Sequence, residues 1–318
     1  MSALIDVTVT QVRALTPVVR EFTLRAPSGD LPGYSAGSHV VVHMPGDASE
    51  GGRGFRNAYS LLSDPADRSA YRIAVRLQAS SRGGSRYMHA RVAVGSRLQV
   101  SPPANLFAPD SRARHHLLIA GGIGITPFMA YVAELGARGG CFELHYAFHS
   151  GRSDAYVTQL AAELGSRLHG YDAAVGQRLD VDAVLAAQPI GTHVYVCGPQ
   201  TLLEGVRQSA ARLGWPASRV HWEAFAAAAP GEPFVVELAR DGRRLAVGAE
   251  QSLLEALESA GVAVPNLCRG GVCGQCVTAY RAAAVEHRDS YLSDAERATH
   301  LMPCVSRGCA GTRLLLDL

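Results

Sequence analysis

Three cysteines and three glycines share nine positions in Cys-Arg-Gly-Gly-Val-Cys-Gly-Gln-Cys, residues 268–276, and another cysteine stands at 304. The spacing runs Cys268, four residues, Cys273, two residues, Cys276, then 27 residues to Cys304. A stretch with so little side chain turns tightly and aims several backbone N–H groups at one point, which suits negatively charged sulfur. Seven cysteines, an odd number, in a chain whose start, MSALIDVTVTQV, carries no secretory signal argue against a disulfide framework. The thiols therefore serve metal, redox work or packing. Residues 224–233, AFAAAAPGEP, have no periodicity and read as a linker. The last ~85 residues are few enough to need help from a metal or a neighbour for stability.

The cysteine spacing is the plant-type arrangement for a 2Fe-2S cluster, which takes four thiolates. A four-cysteine zinc site usually draws on two C-x2-C pairs, and only Cys273 with Cys276 makes one here. Unligated buried thiols would leave the glycines unexplained. For the fourth ligand the intervening length favours Cys304 over Cys309, and Cys141, at the start of an expected strand, is read as a packing residue.

Residues 1–108 are β-rich, with the runs HVVVHM, YRIAVRL and RLQV separated by Gly, Pro, Ser and Asp, a pattern that suits a small antiparallel barrel. From residue 115 strands and helices alternate: HHLLIA, then TPFMAYVAELGARG, CFELHYAF, and later THVYVC and QTLLEGVRQSAARLG. That alternation implies a parallel sheet covered on both faces. In the final unit, Ser252 with Glu255 and Ser293 with Glu296 have capping-box spacing, and Gly261 is placed to end the first helix. The expected organisation is a barrel domain at 1–108, an α/β domain at 109–228 and an α+β domain at 229–318.

A net charge of +2 gives no nucleic-acid footprint, and the 30 basic residues, all arginine, exclude a Schiff-base lysine and a Walker loop. The uncharged run 117–133 is 17 residues long, short of a membrane span and broken by glycines, so it reads as a buried strand, turn and helix. A cytoplasmic protein is expected.

In LLIAGGIGITPF the glycines Gly121, Gly122 and Gly124, with Ile123, follow an apolar strand and precede a helix, bringing backbone amides toward a pyrophosphate. Thr126 is predicted as N-cap and Pro127 as the first helical residue. The fingerprint G-x-G-x-x-G is not met, so a close-packed turn competes with this reading. Cys197, Gly198 and Pro199 lie at the carboxyl end of another strand, the edge where open parallel sheets bind ligands.

With these residues the chain resembles the phthalate dioxygenase reductase family over essentially its whole length. The resemblance implies an FMN barrel, an NADH domain and a ferredoxin domain, with GGIGITPF and CGP as nicotinamide-nucleotide motifs and Cys268, Cys273, Cys276 and Cys304 as cluster ligands. The family's R-x-Y-S flavin motif maps onto Asn57, Ala58, Tyr59 and Ser60, with Asn57 in the arginine slot. Arg56 is adjacent but points elsewhere in an extended segment. Residues 81–85 match the phosphate loop, giving Arg82, Gly83, Gly84 and Ser85, and by the same analogy Ala74, Arg76, Thr126 and Phe225 lie near the flavin ring. The chain is also similar to carnitine monooxygenase reductases; the implied activity passes electrons from NADH through FMN to the 2Fe-2S centre and on to a Rieske non-haem iron oxygenase, an aromatic carboxylate being favoured over a carnitine-type substrate, with the free protein a monomer. A flavin fits between a hydride donor and a one-electron acceptor, and no side chain is needed as acid, base or nucleophile. Two other readings are a self-sufficient NADH:flavin oxidoreductase and a zinc-stabilised nucleotide-binding sensor.

Overall fold

The computed structural model describes residues 4–45, 54–79, 83–225, 230–281, 284–309 and 311–318. The chain divides into two compact units, Met1–Ala224 and Phe225–Leu318.

The first unit begins with strands β1 (Ile5–Thr16), β2 (Val19–Arg25), β3 (Ser38–Met44), β4 (Phe55–Ser60) and β5 (Tyr71–Arg76), then helix α1 (Gly84–Arg91), β6 (Arg97–Val100) and β7 (Ala104–Asn105). They form one antiparallel sheet in the order β4-β3-β6-β1-β2-β5, with β7 on β3. Its edges approach each other, and the Leu62 amide just past β4 donates to the Arg72 carbonyl in β5 at 3.0 Å, curling the sheet into the expected barrel. Alternation does the work: Val7 and Val9, Phe22 and Leu24, Val40 and Val42, Ile73 and Val75 all point into one buried core.

Next come β8 (His115–Gly121), α2 (Thr126–Ala137), β9 (Phe142–Phe148), α3 (Val157–Leu164), β10 (Leu168–Asp172), α4 (Val181–Ala186), β11 (Thr192–Cys197), α5 (Gln200–Arg212) and β12 (Val220–Glu223). The sheet order is β10-β9-β8-β11-β12 and every pairing is parallel. Leu118 and Ala120 face a core shared with α2 and α3, while Leu117 and Ile119 face α4 and α5. The order reverses between β8 and β11, so the carboxyl ends of those two strands flank a crevice.

Barrel and parallel sheet share that first core, which takes Val19, Leu62, Ala74 and Phe107 from one and Leu118, Phe128, Tyr131 and Tyr195 from the other. Buried polar groups cross the same seam: the Tyr156 hydroxyl donates to Glu21 Oε2 at 2.7 Å, and the Ala36 amide donates to Glu134 Oε2 at 2.7 Å. Among the described residues no helix is long and apolar enough to cross a membrane.

The second unit holds β13 (Phe234–Leu238), β14 (Arg244–Val247), α6 (Leu253–Ser259), β15 (Thr278–Arg281), β16 (Val285–Glu286), α7 (Asp294–Arg297), β17 (His300–Leu301), β18 (Arg307–Gly308) and β19 (Leu314–Leu316). Five strands run β14-β13-β19-β15-β17, mixing parallel and antiparallel pairs, and β16 pairs β18. Both predicted capping boxes are present, with the Ser252 and Ser293 hydroxyls accepting from the Glu255 and Glu296 amides. Gly261, at φ +75°, ends α6: its amide reaches the Glu258 carbonyl at 3.1 Å and the Val262 amide reaches Leu257 at 2.9 Å, a Schellman pattern.

One local expectation is corrected. Thr126 is not an N-cap but already helical, because the 3-10 turn Gly122–Ile125 runs directly into α2; its hydroxyl donates back to the Ile123 carbonyl at 3.0 Å.

Tyr156 holds a left-handed backbone, φ 67°, to reach Glu21. Replacing Tyr156 by Phe removes a donor from a buried carboxylate and is expected to cost about 1–3 kcal/mol, read as a lower urea midpoint at unchanged m-value; an unmoved midpoint would show that Arg13 and Arg72 suffice for Glu21.

Candidate cofactor sites

The four thiols of the sequence pattern come together as two pairs. Cys276 and Cys304 sulfurs lie 3.3 Å apart, Cys268 and Cys273 are hydrogen-bonded to each other, and none forms a disulfide. In each pair the two sulfurs share one hydrogen bond, one member being held below and the other above the ordinary thiol value. Cys268 is pulled down to about 5 by the Cys273 thiol and, against burial, by the amides of Gly270, Val272 and Cys273; Cys276 is pulled down by Cys304. Cys273 and Cys304 are pushed up by their partners and by burial. Deprotonated sulfur ringed by amides is the donor chemistry that a 2Fe-2S cluster takes, so the residues fit the group.

Two contacts fix this loop. Arg269, at φ 53° and largely buried, grips Glu258 of α6 with both ends of its guanidinium, at 2.7 and 2.9 Å, and reaches Asn266 Oδ1 at 3.1 Å. Gly274 holds φ +74°, a conformation that favours glycine, with the Tyr291 ring packed where a methyl group would lie 2.2 Å away. Sequence reasoning attended to the glycines and passed over Arg269. Cys309 joins neither pair among the described contacts, and Cys141, expected to pack inside, is exposed: it precedes β9 by one residue, its sulfur 3.1 Å from His115 Nδ1.

The flavin candidates of the first unit gather on β4, β5 and the start of α1. Gly84 lies against the Asn57 amide so closely that a methyl group there would sit 2.6 Å from Asn57 Oδ1. Arg56, one residue away, is exposed on the opposite face of β4. Burial holds the Tyr59 phenol above its ordinary value, with a smaller opposing pull from Asn57. Ser60 is buried and its hydroxyl has no hydrogen-bond partner among the described residues, an orphan that a ligand would satisfy, and Ala58 is half-buried. Ser85 accepts from the Gln78 amide at 3.3 Å, tying the two ends of the 78–85 segment; Gly83 and Gly84 open α1, and Arg82 lies outside the described residues. On β5, Ala74 is buried and Arg76 exposed, and this strand meets the Gly122–Ile125 turn that leads to Thr126. Phe225 begins the second unit and is 41% exposed.

The nucleotide motifs meet backbone to backbone. A methyl group at Gly124 would lie 2.2 Å from the Cys197 carbonyl oxygen, and one at Gly198 would lie 3.0 Å from Gly121 Cα; Pro199 covers Gly121 from the side. Ile123 is half-buried against the shared core, and the Cys197 thiol, wholly buried, is pushed far above its ordinary value by burial, so that only the Cys197 backbone meets Gly124. The neighbouring loop after β9 is pinned by the Tyr146 hydroxyl, 2.8 Å from the Ser153 carbonyl and 3.1 Å from that of Gly122. Within that loop Asp154 accepts from the Gly151 amide at 2.9 Å, and Arg152 is exposed. Tyr146, Tyr156 and Glu21 were not legible as site residues, because each acts on backbone or partners distant in sequence.

Comparison with known proteins agrees with this geometry. Residues 96–220 match the family described as dimethylamine monooxygenase subunit DmmA-like, N-terminal domain, and residues 236–309 match the 2Fe-2S iron-sulfur cluster binding domain. The chain is 60% identical to the heme-dependent oxidative N-demethylase beta subunit of Ectopseudomonas mendocina, covering 100% of both chains. It is 46% identical to the carnitine monooxygenase reductase subunit of Escherichia coli, covering 98% of both. Among solved structures, phthalate dioxygenase reductase, described as a modular structure for electron transfer from pyridine nucleotides to [2Fe-2S], superposes with TM-score 0.87 at 34% identity, over 99% of this chain and 98% of that one.

The backbone contact at Gly124 gives a paired prediction. Gly124→Ala is expected to destabilise the protein by about 1–3 kcal/mol through overpacking. Gly205→Ala, mid-helix with open space around it, is expected to stabilise by about 0.4–1 kcal/mol. Thermal melts of the two variants check the pair; equal shifts would show that the strand ends move apart freely.

Proposed function

The chain belongs to the phthalate dioxygenase reductase family, and on that footing we propose how its own residues divide the work. It is an NADH-dependent oxidoreductase, the reductase component of an oxygenase system, and its cofactors are FMN and a 2Fe-2S cluster. A bound flavin supplies the exchange between a nicotinamide hydride and the single electrons that an iron-sulfur centre carries. The chain supplies binding, orientation and exclusion of water.

Asn57, Ala58, Tyr59 and Ser60, with Ala74, Arg76 and Thr126, would line the flavin, and Gly83, Gly84, Ser85 and Arg82 would hold its phosphate. Helix α1 has no acidic residue in its first turn, so the positive end of its dipole suits an anion where the family's arginine is replaced by Asn57. Gly121, Gly122, Ile123 and Gly124 with Cys197, Gly198 and Pro199 would seat NADH, their close backbone approach leaving room for a pyrophosphate over the strand ends. Cys268, Cys273, Cys276 and Cys304 would hold the cluster. Phe225 would approach the flavin ring, by analogy with the family. The domain limits 1–108, 109–228 and 229–318 follow these three roles. The observation that carries the reading is the convergence of the four thiols, three on one glycine-rich loop and Cys304 remote from it in sequence.

The partner is a terminal oxygenase. Full-length identity of 60% to the beta subunit of a heme-dependent oxidative N-demethylase supports a haem-containing partner that acts on an N-methylated amine. The resemblance to phthalate dioxygenase reductase supports the second reading, a Rieske non-haem iron oxygenase acting on an aromatic carboxylate. The higher identity gives the first reading precedence.

The test is an anaerobic visible spectrum followed by titration with NADH and, separately, NADPH, then reconstitution with a terminal component of each kind. Flavin and iron-sulfur bands that bleach with NADH are expected; a colourless protein containing zinc would overturn the reading. Cys273→Ser is expected to abolish electron delivery to the oxygenase while NADH still bleaches the flavin. Equal loss of both in a folded variant would refute the assigned roles.

A further inference from the structure

Away from these sites, strands β9 and β10 bring together a second set of donor groups. Glu143 and His145 stand two apart on β9 and share a face, and His169 on β10 is in register with His145. The imidazoles of His145 and His169 stack with centroids 4.5 Å apart. The Glu143 carboxylate lies between them, with Oε1 3.1 Å from His145 Nε2 and Oε2 3.9 Å from His169 Nε2. One ligand atom from each of the three residues lies within 4.8 Å of the others. Donors on a single zinc ion, each at ~2.1 Å in tetrahedral geometry, stand about 3.4 Å apart, so small side-chain rotations close the set.

We infer that Glu143, His145 and His169 bind a divalent first-row transition-metal ion, zinc by the softness and number of the donors, that clips edge strand β10 to β9. Two further contacts have the form of an outer shell. The Tyr171 hydroxyl is 2.8 Å from His145 Nδ1, so that with a cation on Nε2 the ring proton sits on Nδ1 and Tyr171 accepts it. Gln188 Nε2 donates to Glu143 Oε1 at 2.7 Å and holds the carboxylate in place. His169 is 44% exposed, which gives the ion its entry, while His145 is buried and fixed. Three protein donors leave the remaining position to water.

The one other such group among the described residues, Asp110 with His193 and His221, is less suited to a cation. Arg112 already occupies both oxygens of Asp110, at 3.0 and 2.6 Å.

The experiment is a calorimetric titration of the intact, cofactor-loaded protein with zinc chloride, with the visible spectrum followed in parallel. One saturable equivalent is expected, with the flavin and iron-sulfur absorbance unchanged. His169→Ala and Glu143→Gln are each expected to weaken zinc binding at least ~10-fold, and Tyr171→Phe by about 10–100-fold, while His221→Ala leaves it as it was. No saturable binding, unaltered binding in both His169→Ala and Glu143→Gln, loss of binding in His221→Ala, or zinc uptake that bleaches the cluster would each overturn the assignment.

Discussion

The nucleotide half of the first unit depends on two backbones being allowed to touch. Where β8 and β11 end, Gly121 and Gly198 meet and Gly124 sits against the Cys197 carbonyl, with no space for a Cβ at Gly121 or Gly124 and a tight fit at Gly198. The contact draws the 3-10 turn Gly122–Ile125 over the end of β11. Everything that follows, from the crevice at the strand reversal to the meeting of the Gly122–Ile125 turn with β5, inherits its position from that approach. Tyr131, Phe107, Phe128 and Tyr195 then lock it from below, with ring centroids 5.4–6.0 Å apart across the seam between barrel and sheet.

The second unit solves a different problem. A small domain built around four thiols must keep them close before any bond to metal forms, and thiolates so near one another repel. The loop answers with backbone amides directed at Cys268, and with a guanidinium, that of Arg269, close enough to act on Cys304. The sheet contributes rigidity through Arg307, whose buried guanidinium reaches the carbonyls of Gln251, Glu232 and Gly248 at 2.8–3.0 Å.

What was legible in the sequence was whatever repeats at short range. Cysteine spacing, the two capping boxes, Gly261 as a helix stop, and strands such as THVYVC at 192–197 depend on residues a few positions apart, and the structure has each of these helix and strand features where the pattern put it. Less legible were contacts whose partners are remote. Glu21 and Tyr156 are 135 residues apart, and nothing in either neighbourhood announces the pair. Thr126 was misread because a 3-10 turn had already supplied what an N-cap supplies, and Cys141 because a strand's first apolar neighbours do not reveal which side of its entry is covered. The terminal partner's substrate is written in another chain, so only similarity to relatives speaks to it.

The grip of Arg269 on Glu258 has a further meaning in the field of helix α6. Glu258 is the next-to-last residue of that helix, where the aligned peptide dipoles present their negative end and an acidic side chain is out of place. The guanidinium that stabilises it is the second residue of the cysteine loop. The loop is therefore the helix's counter-ion, and unwinding of one exposes an uncompensated charge on the other. Disorder that starts among the thiols is carried into the last turn of α6, and fraying of that turn loosens the thiols in return.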